Sequence, residues 1–92
     1  MDTEYVYVYK TISDDPDSNH WLEEFRGVYR SEGPAVRDAR VWMNEQLEEF
    51  DGDPDVFVKE YVSETGDKFI LTLYDDNDDW LHKAVITREA LK

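Results

Sequence analysis

Cysteine is absent from the 92 residues, which excludes a disulfide framework and a thiolate metal site and fits a reducing compartment. Glycine and proline are few, four and three, and no internal repeat, linker or low-complexity tract occurs. Long apolar runs are missing as well. Charged residues interrupt every hydrophobic stretch well short of a bilayer span, and Met1-Asp2-Thr3-Glu4 is acidic where a signal peptide is basic. Neither export nor membrane insertion is expected, and a cytoplasmic location is. Positive charge is scarce: ten Lys and Arg stand against 23 Asp and Glu, a net charge of −13. Such a chain repels nucleic acid and anionic membranes and attracts basic surfaces, so direct nucleic-acid and membrane binding are not expected.

What is present is enough to fold. Hydrophobic residues make up 40% and aromatics 14%, unlike the aromatic-poor composition of disordered acidic segments. A chain of this size buries roughly 60 to 65% of its unfolded surface around one core, so residues 1–92 read as a single domain. Acidity also marks proteins adapted to high salt. Such proteins tend to lose lysine and bulky apolar side chains, whereas this chain keeps three Trp and six Tyr.

Catalytic and metal signatures are also lacking. His20 and His82 have no H-x-x-x-H or H-E-x-x-H partner, and no nucleophile elbow, phosphate loop or dinucleotide fingerprint occurs. Asp51-Gly52-Asp53-Pro54-Asp55 has the alternating oxygens of a calcium loop, but Val56 stands where that loop needs Gly and Val62 where it needs Glu. Exposed carboxylates in so small a domain find little cleft to perturb their pKa values. The reading is a non-enzymatic protein with no cofactor and no resident metal.

Glu4-Tyr5-Val6-Tyr7-Val8-Tyr9-Lys10 alternates β-branched and aromatic residues and predicts a strand. The Tyr5, Tyr7 and Tyr9 stripe reads as half-buried packing, with a self-association face as the alternative. The turn-rich run from Ser13 to Asn19 predicts a loop. Residues 21–30 fit a helical spacing through Trp21, Phe25 and Tyr29 and a strand through Phe25, Gly27 and Tyr29; the strand is favoured. Ser31-Glu32-Gly33-Pro34 begins a helix, and Val36, Ala39, Met43, Leu47 and Phe50 line one face of it to an end near Asp51-Gly52. Residues 56–62 and 68–74 predict a hairpin across a turn containing Gly66. A last strand runs over residues 80–86, after which Thr87 caps a short terminal turn. The order is ββαβββ: an α+β domain, a mostly antiparallel sheet with one long helix on one face.

Walking this order up and down the sheet brings three separate segments to one end. The first supplies Asp14, Asp15 and Asp17. The second, at the end of the helix, supplies Glu48, Glu49, Asp51, Asp53 and Asp55, and the third supplies Asp75, Asp76, Asp78 and Asp79. None of the three contains Lys or Arg. Glu48 and Glu49 near a helix C-terminus also oppose the macrodipole, by about 0.3–1 kcal/mol each when exposed. Repeated violation of a local rule in one place points to a binding surface, although Asp also collects in turns for its turn chemistry. Carboxylates spaced along a rim resemble a phosphate ladder and fit grooves whose Lys and Arg hold a nucleic-acid backbone. Trp21 and Trp80, beside the first and last acidic segments, are the candidate anchors.

A short, cysteine-free, acidic and aromatic-rich domain of this element order resembles the small phage-encoded anti-CRISPR proteins, as a whole-chain pattern without a diagnostic motif. The resemblance implies a non-enzymatic inhibitor, a monomer or weak dimer in the cytoplasm of the infected bacterium. Such a protein docks on a CRISPR-Cas effector subunit and keeps target DNA out. The alternative is an antitoxin or immunity-type protein covering a basic nuclease, and a virion protein assembling through the Tyr stripe is a third class.

Overall fold

The computed structural model describes residues 4–15 and 20–90. They form β1 (Tyr5–Asp15), β2 (His20–Tyr29), α1 (Glu32–Glu48), β3 (Phe57–Val62), β4 (Lys68–Tyr74) and β5 (Trp80–Ala90). The expected ββαβββ order is observed. The strands make one five-stranded sheet in the order β2-β1-β5-β4-β3, antiparallel throughout. The last strand is therefore the central one. It pairs with β1 from Ser13↔His82 to Tyr5↔Ala90 on one side and with β4 on the other.

Several boundaries differ from the sequence reading: the helix ends at Glu48 rather than near Asp51-Gly52, β3 begins at Phe57 rather than Val56, and pairing across the sheet lengthens β1 and β5. β1 continues through Ser13, Asp14 and Asp15, expected in a loop, because β2 offers partners as far as Asp15 and β5 as far as Ser13. Residues 21–30 are strand, as favoured, apart from Arg30. A bulge at Arg26 puts Lys10 opposite Phe25 and Tyr9 opposite Gly27, so Phe25 lies on the opposite face from Gly27 and Tyr29, with which the strand pattern had grouped it. Thr87 caps no turn; it lies inside β5, opposite Val8 and Lys68.

The helix begins after an extended Ser31 whose side chain makes no capping bond, with Pro34 in the first turn where no N–H is needed. It ends at Glu48, and Asp51 (φ 53°) and Gly52 (φ 75°) adopt left-handed backbone to turn the chain toward β3. Ala35, Ala39 and Met43 are buried against the sheet, flanked by Val36, Trp42, Leu47 and Phe50. Facing them are Tyr9 from β1, Phe69, Leu71 and Leu73 from β4, and Ala84 and Ile86 from β5. Small residues at Ala35, Ala39 and Ala84 let the helix approach the sheet closely. Tyr9 and Tyr7 join this packing while Tyr5 is more exposed, so the tyrosine stripe is structural over most of its length. Buried Thr11 is satisfied by Arg26, whose Nε donates to its Oγ1 at 2.9 Å while the guanidinium lies 5.6 Å from the Trp42 ring.

The other sheet face has no helix over it. Register assigns to it Val6, Val8, Lys10, Ile12 and Asp14 of β1, Lys83, Val85 and Thr87 of β5, Lys68, Ile70 and Thr72 of β4, and Lys59 and Tyr61 of β3. Every lysine among the described residues lies on this face.

Leu73 is fully buried at the centre of the core. Leu73→Ala is expected to lower stability by about 2–5 kcal/mol in chemical denaturation, through lost burial plus the cavity left behind. Burial pushes the Tyr9 phenol up to about 12 from 10.0. The folded state thus holds its proton more tightly than the unfolded chain. This contribution is complete below pH 10 and lost as pH rises toward 12, and Tyr9→Phe should flatten that part of the stability profile.

Candidate functional site

Strand direction decides where the acidic segments lie. β1 ends, β2 begins, β4 ends and β5 begins at the same edge of the sheet, and α1 runs back from the end of β2 to reach it. Direct contacts confirm the meeting. Asp14 is opposite Trp21, Tyr74 is opposite both Trp80 and Phe57, and Phe50 and Val56 pack on the core beside the helix end. The structure therefore brings Asp14, Glu48, Glu49, Asp51, Asp53, Asp55, Asp75, Asp76, Asp78 and Asp79 to one end of the molecule. Asp17 lies outside the described residues, and Asp15 is placed only as a backbone position at the end of β1, opposite His20.

These carboxylates do not all have the same work. Asp75 Oδ1 accepts from the backbone N–H of Asn77 at 2.8 Å and of Asp79 at 3.0 Å, closing the β4–β5 loop. Asp53 Oδ1 accepts from the Asp55 N–H at 3.0 Å. Asp51 and Asp78 (φ 62°) occupy left-handed backbone, which Asp tolerates better than most residues. Turn chemistry thus accounts for Asp51, Asp53, Asp75 and Asp78. Glu48, Glu49, Asp55, Asp76 and Asp79 are exposed and make no side-chain hydrogen bond or ion pair among the described residues. The ion pairs among the described residues, Lys10–Glu23, Arg26–Glu24 and Arg40–Glu60, lie elsewhere. No group of acids, histidines or both has the geometry to hold a metal ion among the described residues.

The two candidate anchors meet. The Trp21 and Trp80 rings are 6.2 Å apart, and Trp21 is 64% exposed. They continue into a second pair, Tyr74 stacked on Phe57 at 5.4 Å, so aromatic rings cross the sheet beside the acidic loops. Lys83 lies 4.6 Å from the Trp80 ring, and Lys59 lies 5.3 Å and 5.5 Å from Tyr74 and Phe57. Sequence reasoning found the tryptophans but not this row. The signal was the parity of Phe57 and Tyr74 in adjacent strands, legible only once their register is known.

Beneath the helix end lies His82, whose Nδ1 is 2.9 Å from Ser13 Oγ and whose ring meets the Trp42 edge at 5.6 Å. Burial lowers its pKa from 6.5, with the Glu49 carboxylate pulling weakly the other way. The unfolded chain therefore takes up the proton more readily. This contribution to stability is present above pH 6.5 and lost as pH falls through the lower folded value. An NMR titration should place the His82 midpoint below 6.5, and Trp42→Leu, which opens the ring to water, should move it back up.

No family pattern matches this chain, and neither a curated protein nor a solved structure does.

Proposed function

We propose that the protein is a non-enzymatic binding protein whose acidic end occupies a basic, nucleic-acid-holding surface on another protein. The observation that carries this reading is the convergence of three sequence-distant acidic segments beside a tryptophan pair, Trp21 exposed and Trp80 half-buried, without a cation in the segments themselves. Unpaired carboxylates supply attraction and orientation over a screening length of about 8 Å at physiological salt. Trp21 and Trp80 supply the desolvated contact that attraction alone lacks. Glu48, Glu49, Asp55, Asp76 and Asp79 are the contact acids, because the fold finds no other use for them.

The target follows from the resemblance in size, charge and element order to anti-CRISPR proteins: a subunit of a bacterial defence complex whose DNA-binding groove is blocked. No bond is made or broken. Blocking requires only that the acidic end and the DNA compete for the same Lys and Arg side chains.

The test is affinity capture from CRISPR-bearing bacterial lysate at low and at high salt, with the captured proteins identified by mass spectrometry. Effector subunits are expected at low salt and are expected to diminish at high salt. The combined variant Glu48→Lys, Glu49→Lys, Asp76→Lys and Asp79→Lys should lose capture while keeping its circular dichroism spectrum. Asp75 is left in place because it holds its loop. Capture of a lone basic nuclease would move the target to the antitoxin class, and undiminished capture by the variant would overturn the acidic end as the contact.

A further inference from the structure

The helix packs across β5, β4, β1 and β2 and leaves the edge strand β3 largely uncovered. Between α1 and β3 lies a hollow of about 300 Å³. Val58 and Leu71 form its floor, Met43 and Leu47 its helix wall, and Asn44 its lip. The Arg40–Glu60 ion pair, at 2.6 Å, bridges helix and strand and closes the end away from the acidic loops. At the other end a second hollow shares Asn44 and Leu47 and is bounded by Glu48 and Gly52. The groove therefore runs alongside β3 from an ion pair at one end to the acidic end of the molecule at the other.

Among the described residues, the edge of β3 is open for pairing. The Ser63 N–H donates to the Lys68 carbonyl at 3.0 Å, which makes that opposed pair a hydrogen-bonded one. Alternation along an antiparallel ladder then makes Tyr61↔Ile70, Lys59↔Thr72 and Phe57↔Tyr74 hydrogen-bonded pairs too. The backbone N–H and C=O groups of Val58, Glu60 and Val62 consequently point outward, away from β4. Their side chains lie on the face of the sheet that carries the groove, as the Arg40–Glu60 pair shows. β3 holds no proline, and Tyr61 and Val62 are exposed.

From this geometry we infer that the α1–β3 groove receives an extended segment of the partner as a sixth, antiparallel strand on β3, with apolar side chains in the hollow and basic residues at its C-terminal end. Three features choose this occupant. Unpaired main-chain groups along an edge fit an extended backbone, and the apolar floor fits alternate side chains. Because β3 runs away from the acidic end, an antiparallel strand runs toward it, so its C-terminal residues meet Glu48 and the Asp51–Asp55 loop. Only Lys or Arg matches that charge. The inference rests on the proposed docking of a basic partner and adds the manner in which the partner's chain is held.

The probe is a short acetylated and amidated peptide in which Val and Leu alternate with Thr and which ends in a run of Arg and Lys, titrated into isotope-labelled protein. Saturation is expected to shift the amides of Val58, Glu60 and Val62 and to slow their hydrogen exchange at least about tenfold, because these N–H groups gain a partner. Asn44→Phe, which fills the groove from an exposed position, should weaken the peptide at least about tenfold with the fold intact. Replacing the Arg and Lys run by Glu should abolish binding. Shifts confined to residues 48–55 and 75–79, with β3 exchange unchanged, would overturn the added strand while leaving the acidic end as a docking surface. Equal binding of the Glu-ended peptide would overturn the charge match, and no shift at any residue would overturn the groove as a peptide site.

Discussion

The pairing of β5 between β1 and β4 is the constraint on which the rest of the molecule depends. Without it, the other strands would make only two separate hairpins, β1–β2 and β3–β4, joined by a helix. Insertion of the last strand unites them and supplies Ala84 and Ile86 to the centre of the core. It also fixes the directions of the other strands. With β5 antiparallel to both neighbours, the ends of β1 and β4 and the start of β5 fall at one edge, and the helix returns there because it must connect two edge strands that run the same way. Acidic segments far apart in sequence are neighbours for that reason, not because any local contact draws them together.

Charge is distributed by the same geometry. The acidic end has exposed carboxylates without ion-pair partners among the described residues, the sheet face without a helix carries the described lysines, and Arg26 and Arg40 stand under and beside the helix. Lys59 and Lys83 lie over aromatic rings rather than reaching the acidic loops. Neither forms an ion pair with those carboxylates among the described residues. The opposite end also bears acids, Glu32, Glu64, Asp67 and Glu89, but Arg30, Arg37, Lys68 and Arg88 accompany them in sequence. There Asp67 is lowered in pKa by accepting from the Ser63 and Thr65 hydroxyls at 2.6 Å and 2.7 Å, a turn-holding role like that of Asp75.

The sequence was informative where a single element carries its own pattern. The alternation of Tyr5 to Tyr9, the 3-and-4 spacing from Val36 to Phe50 and the Gly66 turn specify a strand, a helix and a hairpin locally. What escaped depends on partners distant in the chain. The extension of β1 through Asp15 comes from its ladder with β2 and that of β5 past Thr87 from its ladder with β1, and these override turn propensity in Ser13, Asp14 and Thr87. The acidic end could be derived because up-and-down direction needs only element order. The aromatic row and the groove could not, since the first needs the register of Phe57, Tyr74, Trp80 and Trp21, and the second depends on how far the helix lies from β3. Likewise, only the hydrogen bonds of Asp53 and Asp75 separate acids that hold turns from acids with no structural task.

Carbodiimide labelling of carboxylates, read by mass spectrometry on the free protein and on its complex with the captured partner, tests the central claim most directly. Docking through the acidic end predicts protection of Glu48, Glu49, Asp76 and Asp79 in the complex, with Glu32, Glu64 and Glu89 labelled equally in both states. Protection of Glu32, Glu64 and Glu89 with the acidic end still fully labelled would contradict it.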